Sequence, residues 1–267
     1  MLITNGEADI YLVAEEQFEY DACLIAAQPE FGHASFVALK GVIGSQEPVG
    51  FYLSKYHFQD PFNTITDFTK PGWPLYSVEN GGKKWLIMVI ETWMPTPITD
   101  NPQGTWIYSY PIARNFCALI KEHGVKELCY ATATASNDAF PDDIFSQPKR
   151  TRVYEYHFKE GGSRTTKLAF MLPPSWLFSH LFTEMGGEGW IVFTGYKEDG
   201  VVDETATTTF ANYFKNRLNL PVNRKSIDKI TARIQEETED TESMKKVVVD
   251  ELMTKNAKIT ENDTMFG

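Results

Sequence analysis

Every position from Trp85 to Ile90 in "KKWLIMVIET" is apolar, with none of the alternation that a half-exposed strand shows. Such a run reads as a strand buried on both faces, and hence as a central strand of a sheet. "ACLIAAQP" is a second short, almost wholly apolar run. The turn "EFGH" and then "ASFVALKGVIGS", with apolar residues at helical spacing, follow it, so strand, glycine turn and helix are predicted in that order. "PVGFYLSKYHF" reads as a further strand. Ile112, Phe116, Leu119 and Ile120 line one face of a helix that Gly124 ends as a left-handed cap, and "VKELCYATATA" follows as a strand. Beyond the loop "FPDDIFSQP", "TRVYEYHF" alternates like a strand. "PPSWLFSHLFTEMG" opens on prolines and closes on glycine like a helix, and "GWIVFTGY" is another strand. Strands alternating with helices predict a three-layer α/β/α sandwich around a mostly parallel sheet.

From Asp203 onward the chain turns helical. Asp203 can cap a helix whose apolar face is Ala206, Phe210, Phe214 and Leu218. "LNLP" then breaks it before a second helix carrying Ile227, Ile230 and Ile234. "EETEDTES" reads as an acidic hinge, and "MKKVVVDELMTKN" as a last helical segment. The expected division is an α/β sandwich over residues 1–202, a helical part over 203–259 packed on it or extending from it, and a flexible tail over 260–267.

With 267 residues, 42% of them hydrophobic, the chain can bury a substantial core. A formal net charge of -11, with no basic stripe, argues against a protein that grips nucleic-acid phosphates. The opening "MLITNGEADIY" lacks the regions of a signal peptide, and "WLIMVI" is too short to cross a bilayer, so a soluble, cytoplasmic protein is expected. Cys23, Cys117 and Cys129 are odd in number and widely spaced, which suits buried free thiols.

Candidate chemistry is sparse. Gly32 and His33, in "PEFGHAS", form a glycine turn at the first helix N-terminus, where free N–H groups can hold an anion. The turn lacks the remaining glycines of a dinucleotide fingerprint and the Gly-Lys-Ser/Thr of a nucleotide loop, and it reads first as a tight turn. Asn137 and Asp138 follow the end of a strand, where ligands of open α/β sheets bind. They could read a purine edge or simply form a turn. His33, His57, His123, His157 and His180 never fall at i, i+3 or i, i+4, so no metal site is expected, and no cofactor. Ser35, Ser175 and Ser179 lack a nucleophile-elbow context, so no catalytic residue is assigned. The polar approach "ITENDT" ends in Met265, Phe266 and Gly267, an apolar tip that is either a frayed terminus or a tethered ligand for a pocket on another protein.

Three blocks carry a resemblance. "LIAAQPEFGHASFVALKGVI", "ARNFCALIKEHGVKELCYATATA" and "DETATTTFANYFKNRLNLPVNRKSIDKITARIQE" resemble, in order, those of the proteasome assembly chaperone 2 family, although Ala131, Thr132 and Ala133 stand where the family often carries a Gly-Gly stretch. The resemblance implies a phosphorylase/hydrolase-like sandwich, an archaeal and cytoplasmic setting, homo-oligomers, and a non-enzymatic role as a proteasome assembly chaperone or adaptor. It also implies a use for the tail. Family members can end in a hydrophobic residue, a tyrosine and any residue, a tail that docks between α subunits of the proteasome core particle. Met265, Phe266 and Gly267 match those positions with phenylalanine in place of tyrosine. The competing reading, from fold likeness to phosphorylases, is a nucleoside phosphorylase/hydrolase-like enzyme acting on a small molecule.

Overall fold

A computed structural model describes residues 2–4, 8–12, 18–27, 33–54, 72–90, 102–135, 149–159, 173–196 and 201–239. In chain order the elements are β1 (Leu2–Thr4), β2 (Ala8–Leu12), β3 (Ala22–Ala27), α1 (Ala34–Ile43), β4 (Gly50–Ser54), β5 (Trp73–Asn80) and β6 (Lys83–Ile90). They continue with α2 (Pro102–Glu122), β7 (Glu127–Ala135), β8 (Tyr154–His157), α3 (Pro173–Glu184), β9 (Glu188–Tyr196), α4 (Glu204–Asn216) and α5 over residues 224–239.

The nine strands form one sheet in the order β1-β2-β4-β5-β6-β3-β7-β9-β8, with β6, the run apolar on both faces, at its centre. The two faces of that run point into two separate cores. Leu86, Met88 and Ile90 join Cys23, Ile25, Leu128 and Ile191 beneath α2 and α3. Trp85, Ile87 and Val89 join Leu24, Cys129 and Val192 beneath α1, α4 and α5. The period-two alternation of a strand thus divides one hydrophobic run between two helical layers.

The sheet is mixed, which corrects the expectation of a mostly parallel one. The pairings β3 with β6, β3 with β7 and β7 with β9 are parallel. The five others are antiparallel. The strand-helix alternation is genuine at the centre, where β6, α2 and β7 form a crossover. It fails on one side, where β4, β5 and β6 run as a meander. The last turn of that meander is the pair Gly81 and Gly82, with φ of 61° and 77°. Two consecutive positive φ values are the requirement of the two-residue hairpin turn whose twist matches its strands, and glycine meets it without steric cost.

Gly124 stands at φ 90° just past α2, and Val125 N–H donates to the Ile120 carbonyl across it, so the helix closes as expected. The acidic run does not begin as a hinge. Residues 236–239 continue α5, since glutamate is a good helix former and Thr238 Oγ1 satisfies the Ile234 carbonyl at 2.8 Å. Residues 240–267, with the last expected helical segment and the tail, lie outside the described residues. So does the loop 136–148. All of "TRVYEYHF" is described, but its strand is short, only Tyr154–His157.

Gly189 sets how closely α3 lies on β9. A Cβ at this position would stand 2.0 Å from the Ser179 carbonyl oxygen and 2.5 Å from Thr183 Oγ1. Helix and strand are also stitched here, because Ser179 Oγ donates to the Trp190 carbonyl at 2.7 Å. Gly189→Ala is expected to push the helix off the sheet at a cost of about 1–3 kcal/mol. Thermal denaturation followed by circular dichroism should show a melting temperature lower by about 2–4 °C per kcal/mol.

Candidate functional site

The ends of the parallel strands are the usual place for a ligand in an open α/β sheet. β3 precedes α1 and pairs in parallel with β7, so the start of α1 and the end of β7 lie at the same carboxyl edge of the sheet. Of the four candidate turn residues, only His33 belongs to the described set. It occupies the N-cap of α1 in the left-handed region, φ 48° and ψ 13°, and its side chain makes no capping hydrogen bond. Gly32, Asn137 and Asp138 lie outside the described residues, as do Met265, Phe266 and Gly267.

Elsewhere the titratable side chains serve packing. Burial pushes the thiols of Cys23, Cys117 and Cys129 well above the usual cysteine range, so none is an activated nucleophile. Cys117 Sγ donates to the Phe178 carbonyl at 3.2 Å, joining α2 to α3. His123 Nδ1 lies 2.9 Å from the Leu119 carbonyl at the end of α2, and His180 is buried against Phe158 and Trp176. Among the described residues no group of three His, Cys, Asp or Glu side chains could hold a metal ion. No helix there is long and apolar enough to cross a membrane.

Two polar constructions were not foreseen from the sequence. Asp203 caps α4 as expected, its side chain accepting from the Ala206 N–H at 2.9 Å. The same carboxylate, fully buried, also receives Nε and Nη2 of Arg150 at 2.7 and 2.8 Å. Arg150 lies 53 residues upstream, so no local pattern announces the pair. The second construction centres on Glu155 of β8. It accepts from Tyr213 Oη at 2.9 Å and lies 3.4 Å from Arg217 Nε and 3.3 Å from His157 Nε2. Burial pushes this carboxyl up, but the hydrogen bonds from Tyr213 and His157 and the charge of Arg217 outweigh it, and the group sits below its ordinary value. Burial chiefly, with the hydrogen bond to Glu155 among the smaller causes, pushes the Tyr213 phenol up. Both constructions tie the α4 entry and exit to the β8 edge of the sheet.

A shallow cleft of about 240 Å³ opens between α4 and α5, lined by Glu204, Thr207, Thr208, Arg224, Asp228 and Gln235 among others. It contains none of the candidate residues. Its most buried polar group, the Thr207 hydroxyl, already donates to the Asp203 carbonyl at 2.8 Å.

The architecture defines the class: a three-layer α/β/α sandwich with a mixed nine-stranded sheet. Solved structures share it. The protein resembles Pyrococcus furiosus PbaB, an archaeal proteasome activator, at a TM-score of 0.59 and 13% identity, over 88% of this chain and 99% of that one. It resembles a Thermoplasma acidophilum protein of unknown function at 0.54 and 14%, over 86% and 92% of the two chains. It also resembles Pyrococcus furiosus PbaA, an archaeal homolog of proteasome-assembly chaperone, at 0.50 and 14%, over 94% and 98%. No family model and no curated protein matches the sequence. At these identities the likeness is one of fold.

Proposed function

We propose that the protein is a non-enzymatic adaptor of the proteasome system, similar in role to an assembly chaperone or activator, which docks Met265, Phe266 and Gly267 into pockets between α subunits of the core particle. The observation that carries this reading is the shared fold with PbaB, described as an archaeal proteasome activator, along 88% of the chain. The hydrophobic-aromatic-any tripeptide at the end of the sequence supports it. In this reading the aromatic ring fills an apolar slot, the terminal carboxylate pairs with a basic residue, and "ITENDT" serves as the tether. One such tail binds weakly, with a dissociation constant of about 1 mM. A homo-oligomer displaying several tails gains about a hundredfold or more by effective concentration alone.

The test is binding of the intact protein to immobilised core particle at fixed salt. Removal of residues 265–267 should abolish binding and leave the circular dichroism unchanged. Phe266→Ala should weaken it, and Phe266→Tyr should strengthen it by about 1 kcal/mol through the regained hydroxyl. Equal binding by the intact and truncated chains would overturn the reading. A nucleoside and phosphate panel yielding turnover that Asp138→Ala abolishes would favour the enzyme instead.

A further inference from the structure

The cleft between α4 and α5 gathers polar side chains that the fold leaves unbonded. α4 contributes Glu204, Thr207 and Thr208, α5 contributes Arg224, Asp228, Thr231 and Gln235, and Ile227 and Ala232 supply the apolar lining. Of the polar side chains, Thr207 alone makes a hydrogen bond among the described residues. The threonines show the selection. Thr207, Thr209 and Thr238 each turn the hydroxyl back onto the carbonyl four residues earlier, the local partner open to a helical threonine. Thr208 and Thr231, half-buried in the cleft walls, do not, so their hydroxyls stay available to an occupant. Arg224 is equally uncommitted. Its Nε stands 3.8 Å from Asp228 Oδ1, an ion pair too long for a hydrogen bond, which leaves the guanidinium fork open. Glu204 makes no ion pair among the described residues, with Arg224 or with any other base. Opposite charges thus border one cleft without meeting.

We propose that this cleft binds a small zwitterion, an amino acid or dipeptide, whose carboxylate takes the Arg224 fork and whose ammonium takes Glu204, with Thr208, Thr231 and Gln235 bonding the groups between. Charge decides the class. A simple anion would face the carboxylates of Glu204 and Asp228, and a simple cation would face Arg224, whereas a molecule carrying both charges satisfies both walls. Size agrees, since about 240 Å³ lies below the range of pockets for drug-sized ligands. The described lining holds no aromatic ring on which a nucleobase could stack, which sets the cleft apart from a nucleotide site. Arg224 and Asp228 are largely exposed, so the grip is weak, with a dissociation constant of about 1 mM. The site involves neither residues 265–267 nor the core particle, and it stands or falls apart from the tail reading.

The test is a thermal-shift screen of the full chain against the standard amino acids and the dipeptides glycylglycine and alanylalanine, followed by calorimetric titration of every compound that stabilises it. At about 10 mM, a ligand with a dissociation constant of about 1 mM should raise the melting temperature by about 3–5 °C. A shift from the dipeptides alone would assign the longer zwitterion. The counterparts of the ligand that lack the amine or the carboxylate should each bind about tenfold more weakly, because one charge-assisted contact is lost. Arg224→Gln and Glu204→Gln should each weaken binding by about the same factor, and Lys215→Gln, on α4 outside the cleft, should leave it unchanged. Glu204 and Arg224 are exposed, so these variants should keep the circular dichroism of the parent, and lost binding will not reflect misfolding. No stabilisation by any member of the screen, equal binding of the single-charge counterparts, or binding that survives both Arg224→Gln and Glu204→Gln would overturn the inference.

Discussion

Asp203→Ala is expected to destabilise the protein by about 3–5 kcal/mol, the range for breaking a buried charge pair. The carboxylate is fully buried and receives both Arg150 nitrogens, at 2.7 and 2.8 Å, together with the Ala206 N–H. Its removal deletes the N-cap of α4, worth about 1 kcal/mol, and takes the buried carboxylate from the guanidinium. Arg150 is one-third exposed and can turn partly toward water, which holds the cost of Asp203→Ala near the lower end of the range. Arg150→Ala takes the guanidinium from the more deeply buried partner and should cost at least as much. Asp203→Asn retains the capping oxygen and should cost less than either. Denaturant unfolding of both single variants and the double variant gives the coupling energy, expected between about 0.5 and 3 kcal/mol. Additive losses would show that the two side chains do not act as a pair.

Phe116→Ala should cost about 3–5 kcal/mol, through lost burial and the cavity left behind. The ring is fully buried where α2, α3 and β4 meet, edge-on to Tyr52 at 4.8 Å and to Phe178 at 5.9 Å between centroids. Tyr52 in turn donates its hydroxyl to the Ile112 carbonyl at 2.7 Å, one turn before Phe116. A gap at Phe116 therefore loosens both an aromatic cluster and the seating of α2 on the sheet. Phe116→Leu keeps most of the volume and should lose clearly less. Urea denaturation of the two variants decides this, and equal losses would mean that the cavity contributes nothing.

The element types were largely legible because burial leaves a period. The unbroken apolar run of β6 announced a strand covered on both sides, the spacing of Ile112, Phe116, Leu119 and Ile120 announced the inner face of α2, and Asp203 announced a helix start. The mixed sheet was not legible in the same way. "WPLYSVEN" carries Pro, Ser, Glu and Asn and went unmarked as a strand, yet as β5 it turns the neighbouring β6 antiparallel to it. Strand direction belongs to a pair of strands, and a pattern within one segment does not contain it. At the candidate site, topology sets the His33 turn and the end of β7 on the same sheet edge, a juxtaposition across about a hundred residues that no spacing rule supplies.

Local chemistry, then, belongs to the sequence: which residues can cap and which stretches must be covered. The tertiary structure alone decided the partners. Arg150 meets Asp203, and Tyr213 meets Glu155, only because the fold lays α4 along the β8 edge. The physical reason is range. Periodicity and capping act within a few residues, whereas desolvated charge pairs and close approaches such as Gly189 on Ser179 arise between segments brought together by collapse of the two cores.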